Sequence, residues 1–439
     1  MAYAMEEKNQ RLDMPVAYNA VMKAASSLMS LIVKTRLDRF FHNKMVRFMR
    51  GQQGLLENIQ NEMAGETREV WWIHMSSLGE WGVARPIIHL LANPGRCIVV
   101  TFFSPSGYEV IKARKDKMPD VDHVFYLPFD TRKNARNFLD ILQPQRAVFI
   151  ISEFWLNYLE ELHRRNIATF LVSAIVHENS YLLKWHGKPY RRAMRAFTTM
   201  MVLDEESRRC LASAGFTNTE VTGDPLFDNA ITVSQTPFED AILDRFCSDN
   251  KVVVAGSVSD DNDLKLVSVV ANERRDLKFM VIPHEIDELN LSKIMRAFQG
   301  STLRYTQCTD STEVSQTQVL VVDTMGMLSR LYRYGQWAYV GGGFTPLLHS
   351  VIEPSVYGLP VAFGPYTNRK VTPTQMSAIG IGKSVSNSKE FGDWLHELET
   401  HPDKMEDIKK KAHEWSMANA NATTRVADII VNGGGPHHG

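Results

Sequence analysis

Gly326-MLSRLYRYGQWAYVGGGFTPLLHSVIEPSVYGLPVAFG-Pro365 decides how the chain is read. An apolar, helix-like segment ends near Gly335. A short apolar run, Trp337 to Val340, has strand character, and three glycines, Gly341 to Gly343, follow it directly. A loop leads to His349, Ser350 and an apolar segment containing Glu353, and a second strand is expected at Pro360 to Phe363. Strand, Gly-rich turn, helix, strand is the unit that sets a phosphate or nucleotide at a helix N-terminus. Without Cβ atoms, Gly341, Gly342 and Gly343 let backbone N–H groups approach an anion. A plain tight turn fits the three glycines too. Glu353, just past the loop, is suited to accept two ribose hydroxyls, or to interact with the helix dipole as an ordinary N-terminal acid.

Working outward, the pattern repeats. Strands are expected at Val70–His74, Cys97–Phe103, Val124–Leu127, Arg146–Ser152 and Ala168–Ala174, alternating with helices over Val83–Leu91, from Ser104, over Thr131–Leu142 and over Phe154–Arg165. Such alternation predicts a parallel sheet covered on both faces. It restarts with strands at Val252–Ala255, Phe279–Ile282 and Val319–Val322. The fold class is therefore α/β, with two Rossmann-like, doubly wound domains facing a cleft. Expected boundaries are 1–50 for a basic amphipathic segment, 51–230 and 231–430 for the two domains, and 431–439 for a disordered tail. Residues 231–250 read as a linker with a short helix.

Composition narrows the function. The chain has 439 residues, 44% of them hydrophobic, and a net charge of −1, which excludes a general nucleic-acid binder. Its four cysteines form no CxxC pair, so neither a zinc ribbon nor a disulfide framework is expected. No secretory signal and no transmembrane helix are expected. Within the stretch from Val16 to Arg50, the six cations of the run Lys34 to Arg50 (Lys34, Arg36, Arg39, Lys44, Arg47, Arg50) interleave with apolar residues, as in a helix lying on an anionic membrane surface. A helix packed on its domain with a solvated basic face has the same pattern.

Four turns fall at strand ends, where open parallel sheets bind ligands. Glu80 in Ser76-Ser77-Leu78-Gly79-Glu80 can act as general base toward a hydroxyl, or complete a capping box with Ser77. Glu153 follows a wholly apolar strand and is either a second site carboxylate or a helix-start acid. Ser257, after Ala255-Gly256, can donate to a phosphate or cap a helix. His284, in Pro283-His284-Glu285, can contact a nucleotide or be an ordinary loop histidine. Lys184, His186, Lys188, Arg191, Arg192 and Arg195 form a basic cluster, able to hold phosphates or simply to solvate a helix face. The acidic strings at Asp120–Asp122 and Asp261–Asp263 sit in loop-like contexts and are not read as metal sites. No Walker, HExxH, GxSxG or GxGxxG motif is present, so no cofactor and no metal are expected.

Ten segments in order resemble the 3-deoxy-D-manno-octulosonic acid (Kdo) transferases, GT-B glycosyltransferases of lipopolysaccharide core assembly. They are WWIHMSSLGEWGVARPII, VVTFFSPSGYEVIKAR, FYLPFD, FLDILQPQRAVFIISEFWLNYLEELHRRNIATFLVSA, VTGDPLFDNA, VVVAGSV, FMVIPHEIDEL, VVDTMGMLSRLY, YVGGGF and HSVIEPSVYGLPVAFGP. The resemblance implies a metal-independent, inverting transfer from CMP-Kdo to a phosphorylated lipid A precursor, at the cytoplasmic face of the inner membrane. It implies that Glu80 is the base and Glu153 a second carboxylate. Ser257, Pro283, His284, Met325, Gly326, Gly342, Gly343, His349, Ser350 and Glu353 would lie on the donor side, with Glu353 on the ribose, and Lys184, His186, Arg191 and Arg192 would meet the acceptor. Three departures stand out. The arginine of the family's Pro-Arg-His is missing at Pro283-His284. His-Asn reads His349-Ser350. The basic segment replaces a hydrophobic anchor. A GT-B transferase or epimerase using another nucleotide sugar, and a non-catalytic scaffold binding lipopolysaccharide precursors, share this outline.

Overall fold

The computed structural model describes residues 16–35, 43–151, 153–248, 251–309, 313–367 and 370–433. The chain forms two compact units, residues 1–225 with 421–439, and residues 226–420.

The first unit holds seven parallel strands: β1 (Glu69–Met75), β2 (Arg96–Phe102), β3 (His123–Tyr126), β4 (Arg146–Ile150), β5 (Ala168–Ala174), β6 (Thr199–Val202) and β7 (Thr219–Val221). Their order is β3-β2-β1-β4-β5-β6-β7. Apart from the residue that opens each of them, β1, β2 and β4 are buried throughout, because helices cover both faces of a parallel sheet and no solvated face demands alternation. The switch in strand order lies between β1 and β4, and ligands of open parallel sheets bind at the carboxyl ends of the strands at such a point.

The second unit repeats the plan with β8 (Val252–Val258), β9 (Lys278–Pro283), β10 (Thr302–Arg304), β11 (Val319–Val321), β12 (Trp337–Val340), β13 (Val361–Phe363) and β14 (Gly382–Ser384). The order is β10-β11-β9-β8-β12-β13-β14, with the switch between β8 and β12. Each sheet packs its own apolar core, one around Trp72, Phe149 and Tyr158, the other around Phe279, Tyr332 and Tyr339.

Several expectations change. The basic segment is two helices, Val16–Lys34 and Asn43–Gly51, with residues 36–42 outside the described residues. The second helix is packed into the first unit: Met49 is buried, and the Phe48 ring sits 4.6 Å from that of Phe103. Residues 226–235, expected as the close of the first domain and the start of a linker, form the helix Leu226–Gln235 in the second unit, whereas the short helix expected within 231–250 is present as Ala241–Cys247. Residues 421–430, assigned to the second domain by sequence, belong to the first unit through the helix Ala422–Asn432. That helix also takes in Val431 and Asn432, where a tail was expected; residues 434–439 lie outside the described residues. The sequence reading missed β6, β7, β10 and β14, each of three or four residues and too short to show a period of two.

Candidate active site

Glu80 and Glu153 both follow the two strands that flank the switch of the first sheet. Glu80 lies in the first turn of the helix Leu78–Leu91, directly after β1. Ser77 is the N-cap residue, but its hydroxyl bonds none of the helix N–H groups, and Glu80 Oε2 instead accepts the Ser76 N–H at 2.5 Å. The capping box is therefore not closed. Glu153 stands ahead of the helix Leu156–Arg164, outside it. It is turned there by Ile151, whose φ of +63° is left-handed, a costly conformation for a β-branched residue. Glu153 Oε2 accepts the Trp155 indole N–H at 2.7 Å and lies 3.7 Å from His74 Nε2.

The two carboxyls differ in charge preference. Burial, then the nearby Glu153 carboxylate, pushes Glu80 up to about 7. Burial also acts upward on Glu153, but His74, Ser76 and Trp155 outweigh it and hold the group below the usual carboxylate range. An acid poised near neutrality beside a persistent anion is the arrangement that general acid–base chemistry requires.

In the second unit, Ser257, at the end of β8, adopts φ +53°. A Cβ on Gly341 would fall 2.2 Å from the Ser257 carbonyl oxygen, so the end of β12 closes on β8 only with glycine there. Two of the three loop N–H groups are committed internally. Gly341 donates to the Gly256 carbonyl at 2.9 Å, and Gly342 donates to Asp263 Oδ2 at 2.8 Å. This corrects the expectation of a loop offering several N–H donors; neither the Gly341 nor the Gly342 N–H is available. Gly343 must be glycine because a Cβ would meet the Gly364 backbone at 2.5 Å. No helix follows the loop directly, since the next one, Ile352–Ser355, is a single turn.

His349 donates its backbone N–H to the Gly341 carbonyl at 3.1 Å, and its ring faces that of His284 at 4.4 Å between centroids. Pro283 is the last residue of β9, so His284, which is exposed, leaves the sheet beside β8. Burial, then His284 and Lys370, pushes the His349 imidazole down to about 4. The Lys370 ammonium contacts the Leu348 carbonyl. Ser350 Oγ is buried with no hydrogen-bond partner among the described residues. Glu353 is only partly buried, and its carboxylate accepts the Ser329 hydroxyl; burial raises its pKa against that bond. Met325 and Gly326 form an exposed turn after β11, Gly326 with φ +82°.

The basic cluster divides. Lys188, Arg191, Arg192 and Arg195 line a groove of about 520 Å³ with Trp185, which is 87% exposed. Lys184 and His186 are exposed but outside the lining. Arg191 is not a free cation, since its Nη1 donates to the carbonyls of Leu182 and of Lys184, the latter at 2.8 Å.

Sequence reasoning missed Asp263 and Lys370. Asp263 is fully buried and accepts from Tyr339 Oη (2.6 Å), Gly342 N (2.8 Å), Ser259 N (3.1 Å) and Ser259 Oγ (3.0 Å). The signal was the capping pattern at Asp260, which accepts the N–H groups of Asn262 and Asp263 and so makes Asp263 helical rather than loop. Glu66, Cys97 and His123 converge at the opposite, amino-terminal edge of the first sheet, but the Arg68 guanidinium already occupies Glu66.

Two Rossmann-like units, each with functional groups at its switch point, define a GT-B protein. Residues 47–229 match the family model of 3-deoxy-D-manno-octulosonic-acid transferase (Kdo transferase). A bifunctional glycosyltransferase/methyltransferase of Fusobacterium nucleatum is 24% identical over 427 residues, 94% of this chain and 64% of that protein, so the chain spans just under two thirds of that relative's length. A 3-deoxy-D-manno-octulosonic acid transferase of Chlamydophila psittaci is 26% identical over 346 residues, 75% of this chain and 76% of that one. Among solved structures, a putative UDP-N-acetylglucosamine 2-epimerase of Listeria monocytogenes shares the fold at 11% identity, with a TM-score of 0.60 over 83% of this chain and 96% of that one. Along most of its length the chain is thus similar to Kdo transferases, whose family model its residues 47–229 match.

Proposed function

We propose that the protein transfers Kdo from CMP-Kdo to a phosphorylated lipid A precursor, with inversion and without a metal, in lipopolysaccharide core assembly. The observation that carries this reading is the carboxyl pair at the first switch point, with Glu80 held near neutrality by its burial and by Glu153. Glu80 takes the proton of the acceptor hydroxyl as that oxygen bonds the anomeric carbon of Kdo. The bond from that carbon to the CMP phosphate oxygen breaks in the same displacement, and CMP leaves with the electron pair. A single displacement needs no protein nucleophile.

The developing charge on the phosphate calls for donors and cations. His284, His349 and Lys370 supply them in this reading, with Lys370 standing in for the arginine missing beside His284. Ser257 and Ser350 add hydroxyls, Glu353 takes the ribose hydroxyls, and Met325 and Gly326 border the nucleotide. On the acceptor side, Lys188, Arg192 and Arg195 meet the phosphates, while Trp185 offers an apolar face to an acyl chain. Lys184 and His186 act only at the rim.

The enzyme works as a peripheral protein on the cytoplasmic face of the inner membrane. Among the described residues no helix is long and apolar enough to cross a membrane. The helix Val16–Lys34 exposes Val21, Leu28 and Leu31 at spacings of seven and three residues, one face of a helix. The deciding experiment incubates the protein with CMP-Kdo and tetra-acylated lipid A precursor and counts added sugars by mass spectrometry. Release of CMP with a Kdo-bearing lipid is expected. Turnover of a UDP-sugar alone, or lipid binding without any transfer, would replace this reading.

A further inference from the structure

The imidazole of His74 is wholly buried near the end of β1, and its two nitrogens have unlike surroundings. Nδ1 is 2.8 Å from Oγ1 of Thr101, its cross-strand neighbour on β2. The same hydroxyl oxygen accepts the indole N–H of Trp72 at 2.8 Å. The hydroxyl oxygen could accept a second bond, but its own proton has no acceptor within range other than His74 Nδ1 among the described residues, so it points there. Nδ1 is then an acceptor, and the imidazole proton sits on Nε2. Nε2 has no hydrogen-bond partner among the described residues, and Glu153 Oε2 lies 3.7 Å away. Rings of Trp72, Phe149 and Trp155 surround the imidazole at 6.3, 5.8 and 5.9 Å. The titratable groups toward which it opens are Glu153 and, beyond it, Glu80.

We propose that His74 is a positioning residue whose tautomer, set by Trp72 and Thr101, keeps Glu153 the ionised member of the carboxyl pair and leaves Glu80 as the member that exchanges protons. The proposal rests on the reading of Glu80 as base. Two carboxyls in one site do not ionise independently, and the one better supplied with donors keeps its charge. Glu153 accepts from the Trp155 indole and the Ser76 hydroxyl and faces His74 Nε2–H; Glu80 accepts from the Ser76 and Ser77 N–H groups and the Ser77 hydroxyl, so the imidazole is what sets the two apart. A movement of about one ångström would bring Nε2 and Glu153 into hydrogen-bond range. A buried histidine serving only to pack would be replaceable by leucine without altering either carboxyl.

The test is a pH titration of the side-chain carboxyl signals of the substrate-free full chain, labelled with ¹³C-glutamate and followed by NMR; Glu80→Gln and Glu153→Gln serve only for assignment. In His74→Leu the Glu153 midpoint should rise by about one pH unit or more, and the Glu80 midpoint should fall because its neighbour is then neutral. His74→Gln, which keeps an N–H donor, should retain the wild-type midpoints. Unmoved midpoints in a His74→Leu protein that still binds CMP and unfolds cooperatively would overturn the proposal. If His74→Leu does not fold, Thr101→Val decides: loss of the hydroxyl should raise the Glu153 midpoint, and an unchanged one overturns the idea. The titrations need no turnover, so an absence of Kdo transfer would remove the functional reading while leaving these midpoints to be judged separately.

Discussion

The carboxylate of Asp263 accepts the backbone N–H of Gly342 at 2.8 Å, tying a wholly buried side chain of the helix Asp261–Glu273 to the glycine loop after β12. The loop's conformation is thus imposed from beneath, by an anion that also holds Tyr339 and Ser259. Asp263→Ala should cost about 3 kcal/mol or more, because it strands several buried donors at once. Denaturant unfolding measures this, and CMP affinity should fall with it. A stable variant with unchanged CMP binding would show that the loop does not depend on Asp263.

Glu80→Gln should reduce turnover by about 10²–10⁴-fold, with CMP affinity little changed. Activity of the wild type should rise with pH through about 7 as the carboxyl ionises. Stability has the opposite dependence. The unfolded chain releases this proton near 4.5 and the folded one near 7, so this group's contribution to stability falls as pH rises between them. Glu80→Gln should therefore be more stable than wild type at alkaline pH, by about 1–3 kcal/mol. Urea unfolding at two pH values checks the sign; near-normal turnover of the variant would dismiss Glu80 as base.

Glu353→Ala should weaken CMP binding by about 1–3 kcal/mol, the loss expected for hydrogen bonds to a charged group. Isothermal calorimetry reads it directly. Because Ser329 already donates to Glu353, Ser329→Ala should have a smaller effect in the same direction.

CMP binding should carry protons with it. His349 is held neutral, down to about 4, by burial and by His284 and Lys370. A bound phosphate favours the imidazolium, so the folded free protein must take up a proton on binding, and affinity should fall as pH rises through the His349 value in the complex. Calorimetry in buffers of different ionisation enthalpy counts that uptake. If none is found between about pH 5 and 7, His349 does not meet the phosphate.

Much of the fold was legible because buried parallel strands are continuous apolar runs, as in VWWIHM and VVVAG. The carboxyl pair was legible as well, since Glu80 and Glu153 follow such runs. Hydrogen bonding within the glycine loop was not. GGG looks the same whether its N–H groups face a ligand or, as at Gly341 and Gly342, a carbonyl and a carboxylate of the protein. Nor does a basic run reveal that Arg191 is spent on backbone carbonyls, or that Met49 is buried and Phe48 packs against the core.

The packing of Met49 decides how membrane binding is to be tested. Deleting residues 1–50 would uncover the core beneath Met49 and remove Tyr18, whose hydroxyl donates to the buried Asp130 at 2.5 Å. Substituting serine at Val21, Leu28 and Leu31 leaves both contacts. The triple variant should lose most binding to anionic vesicles, and wild-type binding should weaken as salt rises. Equal co-sedimentation of variant and wild type would clear this helix of the role.

The helix Ala422–Asn432 completes the first unit after the chain has built the whole of the second. It packs on Leu78–Leu91, the helix that carries Glu80, and receives Arg146 Nε at the Ile430 carbonyl, 2.9 Å away. During synthesis, the ribosome therefore emits the Glu80 helix some 330 residues before its last packing partner. The second unit is contiguous in sequence and can close as it emerges. The first must wait, with one side of its helical layer open, until residues 422–432 arrive. The support beneath Glu80 is in this sense borrowed from the far side of another domain in the sequence, and is completed only after that domain has been made.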